Sequence, residues 1–177
     1  MVDDDAYQLL ARAVGFLEAA RVVVDNSGNK ASLRAPVAHL IAHGLEVLMK
    51  HVVLMQGGTN LEVVRQRFGH DIGKLWQADE LCIFRENAEN LAGQAYSYAR
   101  ASGSFQDRFD ENPIELLNNY MMELSRLHTN ASNFALRYVA SAREMAPFPL
   151  LLLDTFEPLA NSLALEYSRS EKARTNG

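Results

Sequence analysis

The residues best able to do chemistry in this chain lie between Ala35 and Trp76, a stretch holding four of the five histidines and the one tryptophan. His39 and His43 stand four apart and Glu46 follows three later. On a helix all three fall near one face, where two imidazoles and a carboxylate can share a metal ion. One helix supplies only part of such a site, and a closing ligand must come from elsewhere, with His128 and Asp71 as candidates. The plainer reading of the same spacing is a polar helix edge whose histidines hydrogen-bond to neighbouring helices. We take the plainer reading: no cofactor is expected, and a metal site on His39, His43 and Glu46 is the alternative.

Glu46 and Lys50 form an i, i+4 pair in the favourable order and continue the face of His43. At a surface such a pair contributes only a few tenths of a kcal/mol. Inside a helical core it becomes a charge pair that needs a purpose, at an interface or beside a ligand. Spacing leaves both open.

Arg65 and His70 could hold a phosphate and move a proton if the turn between them brings the two together. Arg34 and His39 repeat the spacing, and about one such match is expected by chance in a chain of this composition. Gly69-His70-Asp71 is a different kind of signal, because the glycine stops one helix and the aspartate starts another. The histidine held between them is suited to a local role, bonding a free backbone carbonyl or a neighbouring side chain. Cys82 has neither a second cysteine nor an adjacent base, which points to a buried core thiol. No Ser/His/Asp pattern, phosphate-cradling glycine loop or paired cysteine motif is present.

The elements that must position these residues read as helices. Asp3, Asp4 and Asp5 precede a run with Leu10, Val14, Leu17 and Val24 at helical spacing, predicting a helix from about Asp4 to Asp25. A second opens near Pro36 and runs to Gln56 before Gly57-Gly58, so broadly apolar that it belongs at the centre of a bundle. Thr59 to Glu62 fits a capping box for a short helix over Asn60 to Phe68, closed by Gly69. Asp71 caps the next turns, and a further helix spans about 79 to 100. After a loop rich in Gly, Ser and Asp, Asn112-Pro113 opens a helix that carries Leu117, Met121 and Leu124 and can continue toward Tyr138. Leu150 to about Ser168 is the last helix, kinked or divided at Pro158, and a polar disordered tail follows over 170–177. With no alternating strand pattern, the fold class is all-α, a single domain over 1–169 built as a bundle of five to six helices.

Composition sets the outer limits. The chain has 177 residues, enough to bury roughly two thirds of its unfolded surface in one core, and no stapling is required. Its 22% charged residues and 48% hydrophobic residues are those of a globular domain. A net charge of −5 without an extended basic block argues against a broad phosphate-binding face, though a small basic cleft is compatible with it. A lone cysteine and an acidic N-terminus point to the cytoplasm, and the most apolar run, Pro149 to Leu153, is too short to cross a membrane.

As a set, these motifs resemble a known superfamily. Glu46-x3-Lys50 on an apolar helix, a glycine turn, then Gly69-His70-Asp71-Ile72-x2-Leu75, and later Arg137-Tyr138, is similar to the HEPN-domain superfamily. The resemblance covers most of Ala35 to Tyr138. It implies an all-helical bundle, commonly a homodimer, of the kind found in prokaryotic defence, toxin–antitoxin and stress systems, whose members cut or bind RNA or bind nucleotides. Catalytic members carry Arg-x4–6-His late in the domain. Here His128 follows Arg126 too closely, and neither Arg137 nor Arg143 is followed by a histidine. The resemblance therefore implies a non-catalytic binding module with Glu46, Lys50, Lys74, Arg137 and Tyr138 at its ligand, and RNA, a nucleotide or a partner protein as that ligand. The alternative is a metal-independent endoribonuclease using Arg65 and His70.

Overall fold

Apolar spacing, caps and breakers divide the described parts of the chain into helices joined by turns. The computed structural model describes residues 2–27, 30–103, 111–129, 135–136 and 146–175. Among these residues the structure is all-α, with seven helices and no strand. They are α1 (Val2–Ser27), α2 (Arg34–Gln56), α3 (Leu61–Phe68), α4 (Ile72–Trp76), α5 (Cys82–Ala101), α6 (Pro113–His128) and α7 (Pro149–Thr175), with 3₁₀ turns leading into α2 and α5. The count exceeds the five to six expected because α4, only five residues long, stands as an element of its own between Asp71 and Gln77.

Local chemistry sets most of the boundaries. Asn112 caps α6, its side chain accepting from the backbone N–H of Ile114 and Glu115, and Pro113 takes the first helical position. Asp71 caps α4 by accepting from Lys74 N–H. The cap of α3 is Asn60, which accepts from Val63 N–H, rather than Thr59. Asn60 already has the extended backbone a cap requires, so the cap lies one residue later than expected, and with Val63 three residues on it is a simple cap and not the capping box expected from Thr59 and Glu62. The polar stretch from Ser170 is helical as far as Thr175, where a disordered tail was expected, and Pro158 sits inside α7 without dividing it. Arg137 and Tyr138 lie outside the described residues.

α2 occupies the centre, buried almost continuously from Val37 to Leu54. It packs against α1, α3, α4, α6 and α7. Among the described residues, the stretch Ala31–Gln56, not the Pro149–Leu153 run, is long and apolar enough to cross a membrane by length and composition, and 83% of its apolar window is buried inside the bundle. α1 lies closest along α2 because Gly44 has no side chain: a Cβ there would stand 3.2 Å from Phe16 Cβ and 3.3 Å from the Leu17 side chain. α7 covers α1 and α5, and Arg21 of α1 ties it down through Asp154 at 2.6 Å and Glu157 at 2.8 Å. At the junction of α4, α5 and α7, Phe156 packs edge-on to Trp76 and stacks on Phe84, with ring centroids 6.0 and 6.1 Å away.

Cys82 departs from the expected buried thiol and is exposed. It opens α5 on the outer side, while its neighbours Leu81 and Phe84 take the inward positions.

His51 illustrates what the central position of α2 imposes. Its Nδ1–H donates to the Ala6 carbonyl of α1 at 2.8 Å, and burial pushes its pKa below the ordinary histidine value despite that bond. The unfolded chain therefore binds a proton at this residue more readily than the native one. Its stabilisation is full above the unfolded value of about 6.5 and is lost as pH falls toward the lower folded value. Thermal melts between pH 7.5 and 5.5 should show a loss of stability that is smaller in His51→Asn, whose amide keeps a donor for Ala6 but does not titrate. An equal loss in both proteins would remove His51 as its source.

Candidate functional site: a buried carboxylate among imidazoles

The Gly69-His70-Asp71 turn fixes the geometry of the site. Gly69 ends α3 with φ 54° and ψ −122°, a conformation that a residue with a Cβ adopts only under strain. This aims the Gly69 carbonyl at α2, where it accepts from Lys50 Nζ at 2.6 Å. His70 follows with its Nδ1–H donating to Glu46 Oε1 at 3.0 Å. The carboxylate can only accept, so the proton must sit on His70 Nδ1. Asp71 caps α4 and also accepts from Ser125 Oγ of α6 at 3.0 Å, while Ser125 accepts from Gly73 N–H at 2.9 Å. Three consecutive residues thus join α2, α4 and α6 around one point.

That point is Glu46. Its side chain is only 2% exposed, and Oε1 accepts from Lys50 Nζ at 2.6 Å as well as from His70. Oε2 accepts from Nε2 of His128, the fully buried last residue of α6, at 2.9 Å. His43 Nδ1 stands 3.7 Å from the same oxygen, beyond hydrogen-bond reach. Burial acts to raise the Glu46 pKa, and the contacts from His128, His43 and Lys50 outweigh it, holding the carboxyl well below the usual carboxylate range. Two buried ring nitrogens near this carboxylate, His43 Nδ1 and His128 Nδ1, have no hydrogen-bond partner. His39 joins the edge of the group, its ring centroid 6.3 Å from His43 and 5.8 Å from His128.

One side of the cluster opens to solvent through a cleft of about 540 Å³ between α1, α2 and the α3 turn. Its apolar lining is Leu9, Phe16, Val47 and Leu61. Its polar lining consists of Arg12, His43, Glu46, Lys50, Arg65, Gly69 and His70. Three cations thus face one carboxylate. Lys50 is committed to Glu46 and Gly69, whereas Arg12 and Arg65 are exposed and have no ion-pair partner among the described residues.

Of the residues singled out from the sequence, Glu46, Lys50, Arg65, His70 and His43 therefore meet at one cleft. The Glu46–Lys50 pair is the buried kind, not the surface kind. His70 has the local role of bonding a neighbouring side chain, and it also lines the cleft. Lys74 does not line it: on α4 its side chain is 68% exposed and faces Asp71 at 3.9 Å. His39 lies outside the compact group of potential metal ligands, in which His128 joins His43 and Glu46 instead. Asp71, the other candidate to close that group, is occupied as a cap. Sequence reasoning missed Arg12 and Phe16. Both sit with Leu9 on one stripe of α1, which becomes the far wall of the cleft only because α1 packs on α2.

The chain matches no protein-family model, no characterised protein and no solved structure.

Proposed function

We propose that this protein is a HEPN-like helical binding module, acting as a homodimer, whose cleft takes an anionic ligand of the nucleotide class or an RNA phosphate, without catalysis. The observation that carries the reading is the pair of exposed arginines without ion-pair partners among the described residues, Arg12 and Arg65, at the mouth of a cleft that also presents an apolar wall. Guanidinium forks suit phosphate oxygens, and Leu9, Phe16, Val47 and Leu61 offer a surface for a base. The chain is acidic overall, so the local excess of positive charge in this cleft is not a property of the whole surface. Glu46, Lys50 and His70 form the floor, where Lys50 holds the carboxylate and the Gly69 turn in register.

Calorimetric titration with ATP, and fluorescence anisotropy with a short single-stranded RNA, test the reading. Wild-type protein should bind at least one of the two, and Arg12→Ala/Arg65→Ala should weaken that binding at least about tenfold, the loss expected for charged hydrogen bonds. Absence of binding to either at about 1 mM would overturn it. A monomeric mass at micromolar concentration would count against the dimer. Arg65 and His70 line the same cleft, which keeps the endoribonuclease in view as a second reading. RNA recovered intact from the binding assay supports binding alone, whereas cleavage that is lost in both Arg65→Ala and His70→Ala would establish the enzyme.

A further inference from the structure

The geometry points to a divalent transition-metal site formed by His43 and Glu46 of α2 with His128 of α6, at the floor of the cleft. This inference stands apart from the anion reading, because the metal alone is its probe. One ligand atom from each of the three side chains lies within 4.8 Å of the others. His128 Nε2 and His43 Nδ1 are 2.9 and 3.7 Å from Glu46 Oε2. Metal–ligand bonds of 2.0–2.1 Å in a tetrahedron place neighbouring donors about 3.3 Å apart, between these two values. Two imidazoles and one carboxylate are a donor set suited to zinc and its neighbours.

Three further observations favour a cation there. His43 Nδ1 is buried without a hydrogen-bond partner, so it is free to present a lone pair to a cation in the tautomer that carries the ring proton on Nε2. Glu46 is oriented through its other oxygen: Lys50 and His70 hold Oε1 and leave Oε2 toward the imidazoles. His128 Nδ1 is also uncommitted, so the ring can carry its proton there while Nε2 turns its lone pair to a metal in place of the bond to Glu46. The fourth position opens into the cleft, since His43 and Glu46 line it. With Lys50 already balancing the carboxylate, a bound dication leaves that position positively charged and suited to water or an anion.

Titration of the full chain with Co²⁺ under chelator-free conditions tests this directly. One equivalent should produce the visible absorption of tetrahedral cobalt, and Zn²⁺ should bleach it. His128→Ala removes a fully buried ring and can fail to fold, so the deciding variant is His43→Ala, whose side chain is 33% exposed. That variant should keep the wild-type helical circular dichroism and bind Co²⁺ at least about tenfold more weakly. It should also lose the rise in melting temperature that Zn²⁺ gives the wild type. Wild-type protein that shows no cobalt spectrum, or a His43→Ala variant that binds Co²⁺ as tightly as wild type, would overturn the site.

Discussion

Replacing Glu46 by alanine is expected to lower the unfolding free energy near neutral pH by about 3–5 kcal/mol, read from urea titration. The size follows from what would be left behind. Lys50 is 7% exposed and has Glu46 as its only carboxylate partner among the described residues, so the variant keeps a buried ammonium with a single carbonyl for company. His70 and His128 lose their acceptor in the same step, and His128 is fully buried. Lys50→Met should cost less, because Glu46 would still accept from both imidazoles and the replacement is apolar and of similar length. The double variant Glu46→Leu/Lys50→Met should lose less than the sum of the two single changes, since residues within one network do not add. A loss under about 1 kcal/mol for Glu46→Ala, typical of exposed pairs, would show that the pair is solvated and that the cluster is not a structural centre.

The second large effect lies away from the cleft. Phe156→Ala should cost about 3–5 kcal/mol, because it empties the junction of α4, α5 and α7. Phe156 is fully buried between Trp76 and Phe84 and is the ring through which α7 meets α4, which is otherwise held to α2 and α6 by the buried Ile72 and Leu75, the Gly73 N–H bond to Ser125 and the Trp76 Nε1–H bond to Asn118 at 2.7 Å. Helices this short do not hold together alone, so α4 depends on the packing above it. Tyr98→Ala on the outer face of α5, where the side chain is 75% exposed, supplies the comparison and should stay within about 0.5 kcal/mol of wild type. Similar losses for the two variants would mean that α7 does not close the core in the manner described.

The two effects also separate the parts of the molecule. Loss of Phe156 weakens the scaffold behind α4, while loss of Glu46 dissolves the link among α2, α6 and the Gly69 turn. The binding proposed for the cleft should depend on the second far more than on the first, because Glu46, Lys50 and His70 line the cleft and Phe156 does not.

Local chemistry determined much of this protein from the sequence alone. Helical spacing of apolar residues, the caps Asp71 and Asn112, Pro113 at a helix start and the Gly69 stop all act within a few residues, so they could be read in order along the chain. The breadth of the apolar surface on α2 likewise placed it at the centre. The i, i+4 spacing of Glu46 and Lys50 gave their contact but not their burial, which depends on helices remote in sequence. The same spacing pointed to His39 as a companion of His43. Only packing could show that His128, 82 residues beyond Glu46, completes the group instead. Arg12 and Phe16 face the site because a glycine at position 44 lets α1 approach α2, a contact with no local signature on α1. Cys82 turned outward for the complementary reason: hydrophobic character alone does not say which side of a helix start faces the core. Local sequence thus indicated where most of the helices lie, whereas the separate α4, the end of α6 at His128 and the extension of α7 to Thr175 were not legible in it. Tertiary structure decided which side chains meet, because the energy of a buried charge depends on the partners brought to it and not on its own neighbours in the chain.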